Sequence, residues 1–327
     1  MTFANSDISD IIATTIQSRS RVIADNVEKN NALLMRLKEG GRKKPFSGGN
    51  VILQELSFAE NGNAMYYSGY ETLSIAAQDV ISASQWDIKQ AAVAVTVSGL
   101  EMLQNAGREK MIDLVEGRME VAESSMENLI AEGIYSDGSG SGGKQITGLQ
   151  AIISDSPTTG TVGGINRATW SFWRNQRWDW SAESGAPTPG PTTIQNAMNT
   201  LYARCSRGSD VPDLIVFDNT YWAYYMASLQ TLQRFPSDSR MADLGFRAVK
   251  FINADVVLDG GIGGNCPTEH GYFINSKYLF YRPHREREFV PIGGDRSSTN
   301  QDAVVKLIGW AGNLTCSGAQ FQGVLED

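Results

Sequence analysis

Histidine is the side chain that most often moves protons near neutral pH, and this sequence contains only His270 and His284. Enzymes that hydrolyse or transfer groups commonly place such a base beside a nucleophile. Neither histidine stands in a recognisable catalytic sequence context. The sequence therefore predicts no catalytic residue.

Metal ligation is the second chemistry that the residue types allow. Cys266 and His270 are four positions apart and could supply two ligands, but no second pair has the spacing of a zinc site. We therefore expect no metal, with Cys266 in a loop and His270 as a surface imidazole. Together with Cys205 and Cys316, the cysteines are odd in number and far apart, which predicts free thiols in a reducing compartment.

Two glycine-rich segments could approach a phosphate with their backbone amides. The segment 137–143 lacks the following lysine and hydroxyl residue of a phosphate-binding loop, so we expect a turn. Gly260–Gly264 follows a predicted strand, but it lacks the third glycine of the dinucleotide-binding pattern, and Pro267 lies behind it. We expect no cofactor, and keep a soluble enzyme using Gly260–Gly264 as an alternative.

Tryptophan and arginine are concentrated between positions 163 and 180. Such a segment could stack on single-stranded nucleic acid, but the same residue types also anchor buried protein interfaces. The net charge of -8 and the pI near 5.0 favour an interface or a core over stacking. The candidate interface residues here are Arg167, Trp170, Trp173 and Arg174.

A shorter basic run contains Arg282, Arg285 and Arg287, with Glu286 and Glu288 alternating among them. On a strand, such alternation would place opposite charges on the two faces. We expect a solvated strand, or one with salt bridges to another subunit. The three arginines are further interface candidates.

The elements that position these residues begin with an extended excursion. Val51–Phe58 and Ala91–Ser98 have the pattern of two long strands, and the segment between them carries several aromatic residues. We expect an extended two-stranded ribbon, which has no core of its own and needs another surface to lie on. Its aromatic interface candidates are Tyr66, Tyr67, Tyr70 and Trp86.

Two helical segments flank this excursion. Residues 1–44 have helical spacing up to the breaker at Gly40-Gly41, which predicts an arm that docks on a neighbour or, about equally, on its own domain. Residues 108–133 have the strongest helical pattern in the chain. A helix of that length acts as a strut.

Beyond the linker Pro187–Pro191, helical and strand patterns alternate, which predicts an α+β second half. Helices are expected near Thr192–Cys205 and Tyr221–Leu229. Strands are expected at Leu214–Phe217, Phe251–Asp259, Tyr272–Asn275, Tyr278–Tyr281 and Val304–Trp310. No internal repeat is visible, which excludes solenoids and propellers.

Length and composition set the remaining bounds. The chain has 327 residues, of which 41% are hydrophobic and 20% charged, which predicts a folded body of one elaborate domain or two interleaved ones. The first twenty residues carry charges, and no apolar stretch approaches the length of a membrane span. We expect neither a signal peptide nor a membrane partner.

The order of these parts resembles that of the major capsid proteins of tailed bacteriophages. Several short sequence segments carry the resemblance, and the most specific of them is Gly163 to Gln176. The others are Trp86 to Lys89, Pro212 to Val216, Asn300 to Ala303 and Gly312 to Leu314. It implies an α+β fold shared with the herpesvirus capsid floor, comprising an N-terminal arm, an extended β-hairpin loop, a long spine helix and an axial domain.

The resemblance also implies a division of the chain. The expected parts are an arm at 1–48, an extended two-stranded loop at 49–98, a peripheral domain at 99–186 with its spine helix at 108–133, an axial domain at 187–295, and C-terminal strands at 296–327 that return to the peripheral domain.

The function implied is assembly into pentamers and hexamers that form an icosahedral head around double-stranded DNA. The principal partner would be further copies of the chain. A scaffold protein, a portal and a cement protein are further expected partners, and the contact with packaged DNA would be loose because the chain is acidic. The location would be the virion, after assembly in the bacterial cytoplasm.

Some capsid proteins of this family join subunits by a Lys-Asn isopeptide bond from the extended loop. No lysine lies between Lys44 and Lys89, so we expect no such bond here. An encapsulin-like shell around a protein cargo remains the alternative within the same fold.

Overall fold

The computed structural model describes residues 31–100, 108–185, 187–230, 248–260, 264–293, 296–297 and 303–327. The helices there are α1 (Ala32–Glu39), α2 (Arg108–Tyr135), α3 (Leu149–Ile152), α4 (Ile194–Cys205) and α5 (Asn219–Gln230). The strands are β1 (Val51–Ser57), β2 (Ile81–Asp87), β3 (Lys89–Ser98), β4 (Thr161–Val162), β5 (Ile165–Asn166), β6 (Gln176–Asp179), β7 (Leu214–Phe217), β8 (Ala248–Phe251), β9 (Ala254–Leu258), β10 (His270–Ile274), β11 (Leu279–Pro283), β12 (Val290–Pro291), β13 (Arg296–Ser297), β14 (Ala303–Cys316) and β15 (Gly323–Glu326). This α+β content confirms the predicted fold class.

Helix α1 begins at a polar cap and ends at the predicted glycine breaker. The Asn31 side chain accepts hydrogen bonds from the backbone amides of Leu33 and Leu34 at 3.0 and 3.2 Å. Leu33, Leu34 and Leu37 are buried, and Arg36 forms an ion pair with Asp213 at 2.9 Å. This part of the arm therefore docks on its own chain. The remainder of the predicted arm, residues 1–30, lies outside the described residues.

The two-stranded ribbon forms, but with a different second strand from the one predicted. Strand β1 pairs antiparallel with β2, from Val51 opposite Asp87 to Ser57 opposite Ile81. Strand β3, which we expected to return along β1, pairs instead with β14. The alternating valines of β3 bury Val95 and Val97 there, whereas the serine-rich β2 has too weak an apolar pattern to be recognised.

A second sheet is built around β14, which pairs antiparallel with β11, β12, β13 and β3. Its buried residues include Ile308, Trp310, Leu314 and Cys316. The Trp310 indole donates a hydrogen bond to the Tyr281 hydroxyl at 2.9 Å. Strand β14 extends to Cys316 and is longer than the strand predicted at Val304–Trp310.

Helix α2 is the predicted long helix, and its 28 residues span about 42 Å. Met119, Ala122, Met126 and Ile130 form its buried face. It continues past Gly133, where we expected it to end. A Cβ at Gly133 would lie 3.0 Å from Ile146 Cδ1, so this glycine allows close packing rather than ending the helix.

A six-stranded sheet, in the order β6-β15-β10-β7-β9-β8, forms the third layer. Alternate residues of β7 face opposite ways, so Leu214 and Val216 enter one core cluster while Ile215 and Phe217 enter the other. Helices α4 and α5 cover the second face with residues such as Leu201 and Tyr225. The sheet is therefore buried on both faces.

The strand predicted at Phe251–Asp259 is present as β9 (Ala254–Leu258), but its first residues form a turn from a further strand, β8 (Ala248–Phe251). Ile252, with φ of 55°, forms the turn between them. A β-branched residue rarely adopts this backbone conformation, so the sequence pattern did not indicate the turn.

No helix among the described residues is long and apolar enough to cross a membrane.

Candidate functional site

The cysteine and histidine that could have shared a metal do not contact each other through their side chains. The Cys266 thiol lies 3.7 Å from the backbone oxygen of His270. The three cysteines are free, as expected, and burial raises the pKa of the Cys266 thiol. The His270 ring instead faces Asp155 and Glu326. We missed this cluster because its members are distant in sequence, and only the pairing of β10 with β15 places His270 opposite Glu326.

The glycine loop has no described geometry that would hold a phosphate. Residues 261–263 lie outside the described residues. Gly264 packs directly on Gly260, since a Cβ at Gly264 would lie 2.4 Å from the Gly260 backbone. The amide of Cys266 donates to the carbonyl of Asp259 at 3.1 Å. These contacts support the structural role that we expected for this loop.

The distal part of the ribbon and its connection, residues 58–80, exposes large apolar side chains. Tyr66 and Tyr70 are fully exposed, Tyr67 is 66% exposed and Ile75 is 92% exposed. Met65, Leu73 and Ile81 add further exposed apolar surface. Several large apolar side chains exposed along one short segment are typical of an interaction surface.

The root of the ribbon is fixed to the body of the subunit. Trp86 is buried, and its indole donates to the Ser84 hydroxyl at 2.9 Å. That hydroxyl lies 3.3 Å from the carbonyl oxygen of Cys316 in β14. The amide of Gln85 donates to the carbonyl of Gly163 at 2.8 Å, which joins the ribbon to the β4–β5 hairpin. These contacts fix the base of the ribbon to the body of the subunit.

An aromatic cluster and a groove lie at the other end of the strand pair, where the connection leaves β1. The rings of Phe58, Trp170 and Phe172 contact one another with centroid distances of 5.7 to 6.0 Å. A groove of about 520 Å³ runs along the same edge, lined by residues 55–60 together with Phe172, Arg207, Tyr278 and Phe321. Trp170 is 48% exposed, so the cluster has an open side.

No protein-family model and no curated protein matches this sequence. Solved structures do match. The chain is similar to one in the cyanophage A-1(L) capsid asymmetric unit, with a TM-score of 0.66 and 15% identity over 88% of this chain and 90% of that one. It is also similar to the capsid of an empty GTA particle, with a TM-score of 0.59 and 12% identity over 89% and 88%.

The chain has the tailed-phage capsid fold. A chain of Mycobacterium phage Bobi is similar over 90% of both chains, with a TM-score of 0.55 and 7% identity. Identities at this level show the fold alone, and they explain why the resemblance was visible in sequence only as an order of elements and a few short phrases.

Within the capsid fold, three interface candidates lie in the interior of the subunit. Trp86, Arg167 and Trp173 are each at most 2% exposed. Arg167 donates to the carbonyls of Ala151 and Ile152, and burial lowers its pKa. Trp173 Nε1 donates to Val162 O at 2.9 Å. Their burial inside one chain leaves no surface for a partner. For Arg167 and Trp173 this is the core role that we kept open, and for Trp86 it corrects the interface role that we expected.

The other candidates keep some exposure in the capsid fold. Arg174 donates to the carbonyls of Arg167 and Ala168, both at 2.7 Å, and so closes the turn below Trp170. Trp170 and the three tyrosines of the ribbon remain candidates for contact with a partner. The structure places Trp170 against Phe58 at the end of β1, and the tyrosines further along the connection between β1 and β2.

The basic run is a strand only in part: Arg282 lies in β11, whereas Arg285 and Arg287 lie in the turn beyond it. Strand β11 ends at Pro283, and Arg285 and Arg287 follow it. The arginines instead anchor neighbouring backbone: the Arg285 amide donates to Phe46 O, and the Arg287 carbonyl accepts from the Ala311 amide. Arg282 contacts Gln54 of the ribbon at 3.1 Å, and burial lowers its pKa. Pro283 pairs with Gly312, and the His284 amide still donates to Ala311 O at 2.8 Å before the chain turns at Arg285.

Proposed function

We propose that this chain is the major capsid protein of a tailed phage, which assembles into the pentamers and hexamers of an icosahedral head around double-stranded DNA. One observation carries the proposal: a chain with the capsid fold extends a ribbon whose large apolar side chains are exposed among the residues that the structure describes. We propose no catalytic activity, because the described residues show structural contacts at each motif that could have supported one.

The ribbon supports an assembly role through its distribution of polarity. Its root is buried and hydrogen bonded, whereas Tyr66, Tyr70 and Ile75 are open to solvent. Tyrosine is enriched at protein interfaces because its ring is apolar and its hydroxyl can still hydrogen bond. A second copy of the chain is the partner that the capsid fold implies.

The charge of the chain supports a loose contact with packaged DNA. The net charge of -8 would repel phosphates rather than bind them tightly. Part of the basic run is also engaged within the subunit, since Arg282 contacts Gln54 and Lys43 pairs with Glu288 at 2.6 Å. We expect DNA to be enclosed by the shell and not recognised by sequence.

The division of labour along the chain follows from the same proposal. The arm at 1–48 and the extended loop at 49–98 would reach neighbours, 99–186 would form the peripheral domain, 187–295 the axial domain around the symmetry axes, and 296–327 the returning strands. A scaffold, a portal and a cement protein would be separate partners. The location would be the virion, after assembly in the host cytoplasm.

Electron microscopy of the purified chain, expressed alone and with its genomic neighbours, tests the function. Closed shells, or rings of five and six, would support it. Particles that remain strictly monomeric in both preparations would overturn it. Shells that contain protein cargo and no nucleic acid would instead assign the chain to the encapsulin-like alternative.

A double variant tests the role of the ribbon. Tyr66→Ser with Tyr70→Ser removes two fully exposed rings, so the subunit should keep its Tm while assembly is lost. Ile252→Ser is the matched control, because Ile252 is 57% exposed in the β8–β9 turn, away from the ribbon. Normal shells from the double variant would show that the ribbon tyrosines do not hold subunits together.

A further inference from the structure

Three side chains that no sequence motif linked converge beside the six-stranded sheet. His270 begins β10, Glu326 ends β15 directly opposite it, and Asp155 lies in the turn after α3. His270 Nε2 is 3.3 Å from an Asp155 carboxylate oxygen and 4.0 Å from a Glu326 carboxylate oxygen. One ligand atom from each of the three lies within 4.8 Å of the others.

The tautomer of His270 is set by its other nitrogen. Nδ1 lies 2.8 Å from the carbonyl oxygen of Thr268, which can only accept, so Nδ1 carries the proton and donates. The Nε2 of a neutral ring then presents a lone pair to the two carboxylates. A backbone carbonyl holding the far nitrogen is the arrangement that orients histidine ligands in metal sites.

The cluster lacks the positive charge that would satisfy it. Arg177 contacts Glu326 through Oε1 and is shared with Asp179, so the other Glu326 oxygen is left to face His270. Among the described residues, no hydrogen bond reaches the buried Oδ1 of Asp155. Burial lowers the pKa of His270, but the facing Asp155 carboxylate and the Thr268 carbonyl raise it overall. With His270 neutral, three electron-pair donors face one another, so the cluster attracts a cation, either a proton on Nε2 or a metal ion.

We propose that Asp155, His270 and Glu326 bind a divalent transition-metal ion of the Zn²⁺ type. An imidazole with two carboxylates suits such ions better than the all-oxygen sites of Ca²⁺ or Mg²⁺. Tetrahedral zinc with bonds of about 2.0 to 2.1 Å places its ligands roughly 3.3 Å apart, which matches the His270 to Asp155 distance. A small rotation of the Glu326 side chain would bring its carboxylate, which lies 4.0 Å from His270 Nε2, into position as the third ligand.

The site would tie together parts of the chain that are remote in sequence. Asp155 follows α3, whereas His270 and Glu326 belong to adjacent strands of the six-stranded sheet. The ion would therefore act as a structural fastener between the α3 turn and the strand pair β10–β15. This inference does not depend on the proposed function, because it concerns the isolated subunit.

The test uses the full-length chain, treated with a chelator that is then removed and titrated with ZnCl₂ during thermal unfolding. At about 100-fold excess over the dissociation constant we expect Tm to rise by roughly 4 °C or more. The rise should disappear in His270→Gln and Asp155→Asn. It should persist in His284→Gln, which removes the only other histidine of the chain, and in Cys266→Ser.

A second readout keeps the test decisive if a variant folds poorly. Co²⁺ bound to the wild-type chain should give visible absorption that Zn²⁺ abolishes, and Zn²⁺ should shift the NMR signals of His270 but not those of His284. If Zn²⁺ does not raise the Tm of the wild-type chain, or raises the Tm of His270→Gln by the same amount, the site would be overturned. Stabilisation by acid alone, lost in His270→Gln, would also overturn it, because a proton would then fill the cluster.

Discussion

Arg167 is a charged side chain held in the interior by backbone carbonyls rather than by a carboxylate. Its guanidinium donates to Ala151 O and Ile152 O at the end of α3, and its own carbonyl accepts from Arg174. The residue therefore ties the Trp-rich turn to α3. Arginine in a Trp-rich segment led us to expect an interface, but burial within the chain gives it a purely internal task.

Arg167→Ala should lower the free energy of unfolding by about 2–4 kcal/mol, because two buried carbonyls lose their donor and a cavity opens. Arg174→Ala is the matched control: it also loses two carbonyl contacts, but nearer to solvent, and should cost about 1 kcal/mol. Urea denaturation of both variants measures the difference. Equal losses would contradict the internal role of Arg167.

Asp210 provides a pH-dependent contribution to stability. Its carboxylate accepts from Lys277 Nζ at 2.5 Å and from the Tyr278 hydroxyl at 2.8 Å, and these bonds lower its pKa. The folded pKa is thus below the unfolded value of about 4, so the contribution is complete above that value and is lost as pH falls through the folded pKa.

Asp210→Asn should therefore lower Tm at pH 7, and the deficit should shrink as pH falls below the unfolded value of about 4 and through the folded pKa. Differential scanning calorimetry across this range provides the measurement. A deficit of the same size at every pH would show that the side chain acts through its shape and not its charge.

At the scale of elements, the β4–β5 hairpin controls how the ribbon leaves the body. Gly163 has φ of 59°, and a Cβ there would lie 2.9 Å from Trp86 Cζ2 and 3.1 Å from Ser84 Cβ. Gly164 also has positive φ, but its nearest neighbour would be Gln85 Cβ at 3.7 Å. A side chain at either glycine would therefore strain the backbone, but only a side chain at Gly163 would overlap Trp86 at the root of the ribbon.

Gly163→Ala should destabilise the subunit more than Gly164→Ala, by about 1–3 kcal/mol from the added overlap, on top of a left-handed backbone cost of about 1–2 kcal/mol common to both. Thermal unfolding gives the stability. Limited proteolysis should show faster cleavage between residues 58 and 80 in Gly163→Ala alone. Identical behaviour would mean that contact with Trp86 does not fix the ribbon.

The elements predicted from sequence are those whose pattern is set locally. Helix α2, strand β7 and helix α4 have clear periodicity, and each lies within a few residues of its predicted bounds. The pairing of β1 with β2 could not be predicted, because β2 has little apolar alternation and β3 has much. Which strand pairs with which depends on the length and burial of β14, a feature remote in sequence.

The candidate surface was predicted only in part, for a related reason. The ribbon tyrosines could be found from their spacing in a segment without enough apolar mass to bury them. Tryptophan is common both in interface anchors and in protein cores. Only the packed structure therefore shows that Trp86 and Trp173 are core residues. The cluster of Asp155, His270 and Glu326 depends on strand register and had no sequence signal.

At the scale of the whole molecule, the negative charge opposes association. Each copy carries a formal charge of -8, and at low ionic strength the repulsion between copies extends about 30 Å, compared with about 8 Å at physiological salt. If copies associate through the apolar ribbon, raising NaCl from 0.01 to 0.15 M should lower the critical concentration for assembly.

Light scattering at increasing protein concentration measures this threshold, with sucrose at equal osmolality as the control. A threshold that rises with salt would show that ion pairs, and not apolar contacts, dominate the association. The Tyr66→Ser and Tyr70→Ser double variant should show no threshold in either salt.

The last strands of the chain occupy central positions. Strand β14 pairs with four other strands, and β15 lies between β6 and β10. Residues 303–326 are synthesised after all of those partners, so neither sheet can close until this segment has left the ribosome. Subunits that meet before that point lack a finished body, so the order of synthesis itself delays association until folding can be completed.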